Sequence, residues 1–380
     1  MSSPLPSEDA LQALRARFSR LPDPRQAGKV LYRLDEVLLI AFCSTLCDGE
    51  SYLDMEDFAR SQLAWLRTFL PLEHGAPSHD VFRNVLMGIA PQALLEVLTS
   101  WCGDLSGKHI AIDGKALRGT HSAEAGRYLV HLLRAWVDDY HLSAAQVVCE
   151  EKSNEIEAIP RLLGSLQLQG ATLTIDAMGT QGHIAEQIVE AGADYVLALK
   201  GNQPSALQAV SAHFKEAESA SRMAPLHRKS VSLELSHGRC EKREYTITED
   251  LSWYHKSWKW AGLQSVAQVR REVQRDYDGP PVEEVHYFLC SFKADVERLA
   301  SLVRGHWSVE NRCHWVLDVT FGEDHCQVRD RNAAHNLTIL REMVISTLHR
   351  HPAKISLRRK RKLASLDPDF RLQILALLHA

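Results

Sequence analysis

The chain has 380 residues, of which 45% are hydrophobic and 24% charged, with a formal net charge of -4. This is the composition of a globular protein long enough for two domains, or for one domain with a large insertion. The near-neutral charge excludes a surface that is basic throughout, so any nucleic-acid contact must come from local basic patches. The longest apolar run, 37–47, is about half of the roughly 20 residues that a membrane span needs.

The cysteines and the start of the chain indicate the compartment. The eight cysteines are scattered, without a C-x-x-C pair, and residues 1–15 do not resemble a secretion signal. We therefore expect a reduced cytoplasmic protein that does not enter a membrane.

Residues 1–105 are predicted to form a small all-helical N-terminal domain. Residues 35–47 are strongly apolar, and helical spacing or capping follows at 52–69, 80–86 and 92–105. A helical module of this size either binds DNA or braces the domain that follows.

From residue 108 the pattern changes to strands interleaved with helices. Strands are predicted at 109–112, 129–137, 144–149, 173–175 and 195–199, and helices at 156–166 and 182–191, where Asn154 and Glu157 match a capping box. Three strands followed by helix–strand alternation predict a mixed α/β sheet with a ribonuclease-H-like layout. No glycine-rich phosphate motif follows a strand, so nucleotide binding is not supported.

Two of the predicted strands end in an Ile-Asp pair, at Asp113 and Asp176. A single Asp-Gly such as Asp113-Gly114 is also a common turn signal. The recurrence favours a site, because two strands of one sheet can bring their terminal carboxylates together. Such carboxylates repel each other, and either a bound cation or protonation of one of them relieves the repulsion. Hard oxygen ligands suit magnesium or manganese.

Residues 202–292 differ again, with strand-like segments at 245–247, 262–274 and 284–292 and a turn at 276–279. The run 236–245 brings basic residues together, and three tryptophans lie just beyond it. Basic and aromatic residues in this arrangement can hold phosphates and stack bases. The alternative is a solvated strand beside a packed tryptophan corner. The residues concerned are Arg239, Lys242, Arg243, Trp253, Trp258 and Trp260.

A long helix is predicted at 294–317, and it places His306, Glu310 and His314 on one face. The metalloprotease spacing H-E-x-x-H is absent. A His-Glu-His zinc stripe remains an alternative, as does a zinc site of Cys313, His314, His325 and Cys326, which lacks the paired short spacing of structural zinc sites.

The chain ends with a helix at 333–349, a basic run at 354–362 and a short apolar close. All five residues from 358 to 362 are basic. Such a block is either a solvated tail or a ligand for phosphates.

The order of motifs resembles the DDE transposases of the H-repeat-associated, ISAs-type insertion-sequence family. The resemblance runs from residue 23 to the basic end of the chain. It rests on IAIDGKALRG, EEKSNEIEAIPRLL, TIDAMGTQ, ALKGNQ, SHGRCEKREY, RGHWSVENRCHWVLDVTFGED and RNAAHNL. It implies a ribonuclease-H-like catalytic domain at 106–350 with a β-rich insertion at about 202–292, followed by a basic tail at 351–380.

The resemblance also implies an acidic triad of Asp113, Asp176 and Glu310 that holds Mg2+ or Mn2+. Related transposase groups carry a tyrosine and an arginine before the glutamate and a lysine after it. Val303, His306 and Leu317 occupy those places here. We therefore expect the positive charge at the site to come from His306 or Arg304.

The activity implied is metal-dependent cleavage and strand transfer of insertion-sequence DNA ends, in the bacterial cytoplasm beside the nucleoid. The partners would be double-stranded terminal repeats, target DNA and further copies of the chain in a synaptic complex. A nuclease without strand transfer and an inactive DNA-binding relic are the alternatives. The expected DNA contacts are Lys115, Arg118, Lys200, Arg239, Arg243, Arg304, Arg358, Arg359 and Lys360.

Overall fold

The computed structural model describes residues 8–120, 130–149, 155–219, 227–236, 239–253, 260–274 and 280–378. The predicted capping residue Asn154, Trp258 and the predicted turn at 276–279 lie outside these residues.

A nine-stranded sheet forms the centre of the molecule, with the order β3-β2-β1-β4-β5-β9-β8-β7-β6. β1 pairs with β4 and β4 with β5 in parallel, and the other neighbours are antiparallel. The first five strands thus have the predicted ribonuclease-H-like order, and the mixed α/β fold is confirmed. The strands are β1 His109–Leu117, β2 Val130–Val137, β3 Leu142–Cys149, β4 Thr172–Ile175, β5 Asp194–Leu199, β6 His227–Ser236, β7 Arg239–Thr248, β8 Ser265–Gln274 and β9 Val282–Cys290.

Helices cover both faces of the sheet. They are α1 Glu8–Ser19, α2 Leu34–Leu46, α3 Tyr52–Ser61, α4 Leu63–Leu66, α5 His79–Gly88, α6 Pro91–Thr99, α7 Glu155–Gly164, α8 Gly182–Glu190, α9 Pro204–Ser219, α10 Val296–Ser308, α11 Trp315–Phe321, α12 Arg331–Arg350, α13 Leu357–Leu366 and α14 Pro368–Leu375. No single described helix is long and apolar enough to cross a membrane. Among the described helices, only the pair α5 and α6, which is bent by 87°, has the combined length and composition of a membrane span.

Alternate residues of β1 belong to different cores, as the two-residue period of a strand requires. Ile110 and Ile112 pack in a core with residues of α7, α8 and α9. Ala111, between them, packs with the helices of the opposite layer. Because both faces are covered, this strand is apolar throughout its first half rather than alternating.

The N-terminal helices do not have a core of their own. Val37 and Phe42 of α2 belong to the same cluster as Leu340 and Val344 of α12. Nearly every residue of α12 is buried, which requires partners on all of its sides. The first and last parts of the chain therefore complete one helical layer.

The basic C-terminal segment is folded into two helices, α13 and α14, so the alternative of a solvated tail is not supported. Lys360 of α13 is buried, and its ammonium donates to the carbonyls of Leu348, at 2.7 Å, and His351, at 2.8 Å. Arg361 is also buried and donates to the Thr45 carbonyl at 2.8 Å. The Lys360 ammonium thus caps the end of α12, and the DNA contact expected of it would require these hydrogen bonds to break.

The region 202–292 extends the main sheet. It begins with α9, a helix that the sequence analysis missed, and continues with the four antiparallel strands β6 to β9. β9 pairs with β5, so the inserted strands continue the sheet directly from its ribonuclease-H-like part.

Candidate active site

Asp113 and Asp176 follow two parallel strands at the same edge of the sheet. Ile112 of β1 and Ile175 of β4 are register partners, and each is followed by the aspartate. Beyond this point β4 ends, whereas β1 continues against β2. Asp176 caps the following turn by accepting from the Met178 amide at 3.0 Å, and Asp113 accepts from the Gly114 amide at 2.9 Å.

Glu310 lies in a π-helical turn, Val309–His314, between α10 and α11. The Trp315 amide donates to the Glu310 carbonyl, five residues back. Where a single helix was predicted at 294–317, the chain forms α10, the π-helical turn and α11 in direct succession. Such turns are frequent at functional sites. In this chain the turn sets Glu310 beside β1: ligand atoms of Asp113, Glu310 and His314 all lie within 4.8 Å of one another.

His314 joins the two carboxylates. Its Nδ1 lies 3.1 Å from Oε2 of Glu310 and 3.5 Å from Oδ2 of Asp113, and its side chain is only 5% exposed. The sequence analysis named His314 only in the zinc alternatives. The one feature of the sequence that indicated a role for His314 was its position four residues after Glu310, on the same helical face.

The carboxylates differ in their electrostatic environment. Burial raises the pKa of Asp113, and the charge of Asp176 adds to that rise, while His314 and His306 oppose it. A hydrogen bond from His314 lowers the pKa of Glu310 below its ordinary value. Two partly buried carboxylates close to each other repel, and a bound cation would relieve that repulsion.

The described residues contain one candidate set of metal ligands. Among the described residues, Asp113, Glu310 and His314 form the single group of three or more such side chains close enough to share an ion. Carboxylate oxygens are hard ligands, and one imidazole is tolerated by manganese. Neither zinc alternative is supported, because His306 and Cys313 lie outside this group.

His306 is hydrogen-bonded beneath the carboxylates. Its Nδ1 lies 2.9 Å from the Thr174 hydroxyl, which is also 2.7 Å from Nε2 of His109. The close approach of α10 to β1 depends on Gly305, where a Cβ would lie 2.6 Å from Nδ1 of His109. Burial lowers the pKa of His306, although Asp113 and Asp176 raise it in part. The neutral ring is therefore favoured at neutral pH, and His306 is not the permanent cation that the related pattern carries.

Lys115, for which a DNA contact was predicted, is surrounded by carboxylates of its own chain. Its ammonium is buried, pairs with Asp318 and lies 3.0 Å from Glu323 and 3.7 Å from Asp324. A cation in this position cannot reach a phosphate without breaking these pairs.

The other predicted cations fall into three groups. Arg118, Lys200, Arg358 and Arg359 are exposed. Arg243 and Arg304 both pair with Glu234 of β6, so their charges are partly neutralised. The side chain of Arg239 lies outside the described residues.

Two of the three tryptophans named for base stacking, Trp253 and Trp260, are packed. Trp253 and Trp260 lie against the core formed with α7, α8 and α9, and the Trp253 indole donates to the Asp250 carbonyl at 2.8 Å. For these two residues the alternative, a packed corner, is the one that the structure supports.

Comparisons with known proteins identify a family. Residues 104–347 match the family described as "Transposase DDE domain", and residues 15–102 match "DDE_Tnp_1-associated". The H repeat-associated putative transposase YhhI of Escherichia coli (strain K12) is 34% identical over 96% of this chain and 98% of its own length. The putative transposase YncI of Escherichia coli O157:H7 is 32% identical over 97% and 95%.

Two further likenesses are shorter or more distant. A protein named inactive transposase YbfQ, from Escherichia coli (strain K12), is 36% identical over 20% of this chain and 90% of its own length. A cryo-EM structure of the piggyBac transposase synaptic complex with hairpin DNA aligns over 97% of this chain and 82% of that one, with 10% identity and a TM-score of 0.45. That score is too low to carry an argument.

Proposed function

Given that the chain belongs to the transposase DDE domain family, we propose that it cleaves the DNA ends of an insertion element and joins them to target DNA. The proposed catalytic carboxylates are Asp113, Asp176 and Glu310. The observation that carries the proposal is the convergence of Asp113 and Glu310, which are far apart in sequence, with His314 around one point at the strand ends.

The reaction needs more than side chains. Phosphodiester hydrolysis is so slow that enzymes lower its barrier by on the order of 20 kcal/mol. Bound Mg2+ or Mn2+ would supply activation of the attacking oxygen and stabilisation of the leaving one. The residues that would hold these ions are Asp113, Asp176 and Glu310.

The protein's own groups orient this centre. His314 holds the Glu310 carboxylate towards Asp113, so the exposed glutamate does not swing freely into solvent. Thr174 and His306 are hydrogen-bonded to each other beside the carboxylates. Because the pKa of His306 is lowered, its neutral ring would add no positive charge that competes with the ions for the carboxylates. Lys200 follows β5 directly, and its charge is close enough to lower the pKa of His306 further. It is therefore the proposed cation for a phosphate at this site.

DNA would reach the site along exposed cations. Arg118 is 76% exposed and follows the end of β1, five residues after Asp113. Arg358 and Arg359 project from α13 and line a cavity of about 510 Å³ with Lys362. We propose that these residues hold phosphates of the DNA ends, and that two copies of the chain hold the two ends together.

The same centre can serve two successive nucleophiles. Water would attack first and leave a 3′-hydroxyl, and that hydroxyl would then attack the target strand. A nuclease would carry out only the first step, so the joined product separates the two functions.

The test uses purified protein and linear DNA that carries the sequences flanking its gene. With magnesium or manganese we expect strand cleavage and then joined products, and calcium or a chelator should give neither. Cleavage without joined products would assign a nuclease, and binding without cleavage would assign an inactive relic.

A further inference from the structure

The chain that follows Asp176 lies against a second connection of the sheet. The Asp176 turn, residues 176–181, includes a short 3-10 helix after β4. The β5–α9 turn, residues 200–203, joins β5 to α9. Because β4 and β5 pair in parallel, their carboxyl ends lie at the same edge of the sheet, and the two turns that follow them are neighbours.

Three side-chain hydrogen bonds hold the Asp176 turn to β5 and to the β5–α9 turn. The Asn202 amide donates to the carbonyl of Ala177. The Gln203 amide donates to the carbonyl of Thr180 at 2.9 Å, and the buried Thr180 hydroxyl donates to the carbonyl of Ala198 at 2.6 Å. Every acceptor is a backbone carbonyl, so these bonds fix the path of the main chain on both sides.

The main chain of the Asp176 turn sets the position of the Asp176 carboxylate. Its Oδ1 accepts from the Met178 amide at 3.0 Å, so the side chain is tied to the turn that it begins. Asp176 is not a member of the group of Asp113, Glu310 and His314, whose ligand atoms lie within 4.8 Å of one another. The turn therefore determines whether the Asp176 carboxylate can share an ion with that group.

We propose that Asn202 and Gln203 are positioning residues that hold Asp176 in place to share an ion with Asp113. This inference rests on the proposed function, in which Asp176 is a metal ligand. Both amides bind the backbone of the Asp176 turn and act on the carboxylate through it. Groups that orient metal ligands in this way typically change metal affinity 10- to 100-fold when they are removed.

The surroundings of the two amides favour this role over a contribution to the core. Asn202 is exposed and Gln203 is half-buried, so neither side chain fills an apolar interior. The Gln203 backbone amide also donates to the Lys200 carbonyl at 3.0 Å. Lys200, the proposed phosphate contact, and Asp176, a proposed metal ligand, thus lie on turns that are bound to each other.

The test measures manganese affinity by calorimetry in the absence of DNA, with Asp176→Asn as the reference. Asn202→Leu and Gln203→Met remove the two donors and keep the approximate size of the side chains. Each should weaken manganese binding about tenfold, in the same direction as Asp176→Asn. Ser205→Ala, at an exposed position in the first turn of α9, is the matched control and should bind manganese as wild type does.

Hydrogen exchange separates positioning from a general loss of stability. In metal-free protein, the peptide that contains residues 176–181 should exchange faster in Asn202→Leu and Gln203→Met than in wild type. Peptides from β1 and from the helical layer should exchange at the wild-type rate. Faster exchange throughout the protein would overturn the inference, because the two amides would then stabilise the fold rather than place one ligand.

The outcomes distinguish this inference from the proposed function. Wild-type manganese affinity in Asn202→Leu and Gln203→Met, together with weaker binding in Asp176→Asn, would overturn the positioning role and leave the proposed function in place. Wild-type affinity in Asp176→Asn would remove Asp176 from the metal site and overturn both assignments of that residue. If both amide variants bind manganese weakly and the wild-type protein cleaves no DNA, the proposed function fails and the positioning role remains.

Discussion

The Lys115 ammonium lies 3.0 Å from the buried carboxylate of Glu323, which ties the strand of Asp113 to the segment that follows the Glu310 helix. Glu323 also accepts from Thr338 at 2.7 Å and from Arg341 at 3.3 Å, both on α12. A second fully buried pair, Arg134 with Glu342 at 2.9 Å, joins β2 to α12. The strand that carries Asp113 and the segment that follows Glu310 are thus linked by charges inside the protein.

Replacing Glu323 should destabilise the protein in a pH-dependent way. Burial alone would raise the pKa of Glu323, but Arg341, Lys115 and Arg134 overcome it and lower the pKa to about 2. A depressed pKa contributes stability above the unfolded value of about 4.5, and this stability is lost as the pH falls towards 2. In urea unfolding near pH 6, Glu323→Gln should therefore be less stable than wild type by about 3 kcal/mol.

The difference between the two proteins should narrow as the pH is lowered to about 3. Glu96→Gln, at an exposed position on α6, is the control and should be nearly neutral at both pH values. A difference that stays constant with pH would contradict the role given to the Glu323 charge.

The strand ends were predictable because their signal is local. A short apolar run and a terminal aspartate stand together in sequence at both Asp113 and Asp176. The burial of Lys115 was not predictable, because its partner Glu323 is 208 residues away. Nothing near Lys115 in the sequence indicates that its charge is already neutralised.

The Thr174 hydroxyl should be required by both histidines that it contacts. It has one proton, so it donates to one ring and accepts from the other, between His109 at 2.7 Å and His306 at 2.9 Å. Thr174→Val keeps the shape of the side chain but removes the hydrogen-bond partner of two half-buried ring nitrogens. We expect a loss of about 1–3 kcal/mol in denaturant unfolding. Thr174→Ser, which keeps the hydroxyl, should lose much less; similar losses in the two variants would mean that packing rather than the hydrogen bonds matters.

His314 should increase the affinity of the site for its ion. Groups that orient metal ligands typically change metal affinity 10- to 100-fold when removed. We expect His314→Ala to weaken manganese binding about tenfold in calorimetry, because Glu310 loses the contact that turns it towards Asp113. His325→Ala, an exposed histidine nearby in sequence, is the control. Unchanged manganese affinity in His314→Ala would remove His314 from the site.

Adjacent basic residues of α13 should have opposite effects. Lys360→Met leaves the carbonyls of Leu348 and His351 without their donor, and should cost about 1–3 kcal/mol of stability with little change in DNA affinity. Arg359→Met, on the exposed side, should leave stability unchanged and reduce the salt dependence of DNA binding by about one released counterion. The measurements are urea unfolding and a binding titration at several salt concentrations, and the reverse pattern would contradict this division of the helix.

The basic run shows why the C-terminal segment could not be assigned from sequence. Five successive cations suggest exposure, because a buried cation needs partners. Here the partners are the end of α12 and the Thr45 carbonyl on α2, which only the fold brings near. The π-helical turn at Glu310 was missed for a related reason. The extra residue that widens such a turn leaves no signal in the local amino-acid composition.

The central claim is that Asp113, Asp176 and Glu310 together make the DNA-cleaving centre, and the most direct test is the cleavage rate of three single variants. Asp113→Asn, Asp176→Asn and Glu310→Gln keep the shape of each side chain and remove its charge. With magnesium and element-end DNA, each should cleave at least about 10³-fold more slowly than wild type, the scale expected when one member of a catalytic unit is lost. Circular dichroism and unfolding curves should show all three to be folded. If any two of these variants cleave at the wild-type rate, the assignment of the catalytic centre is wrong.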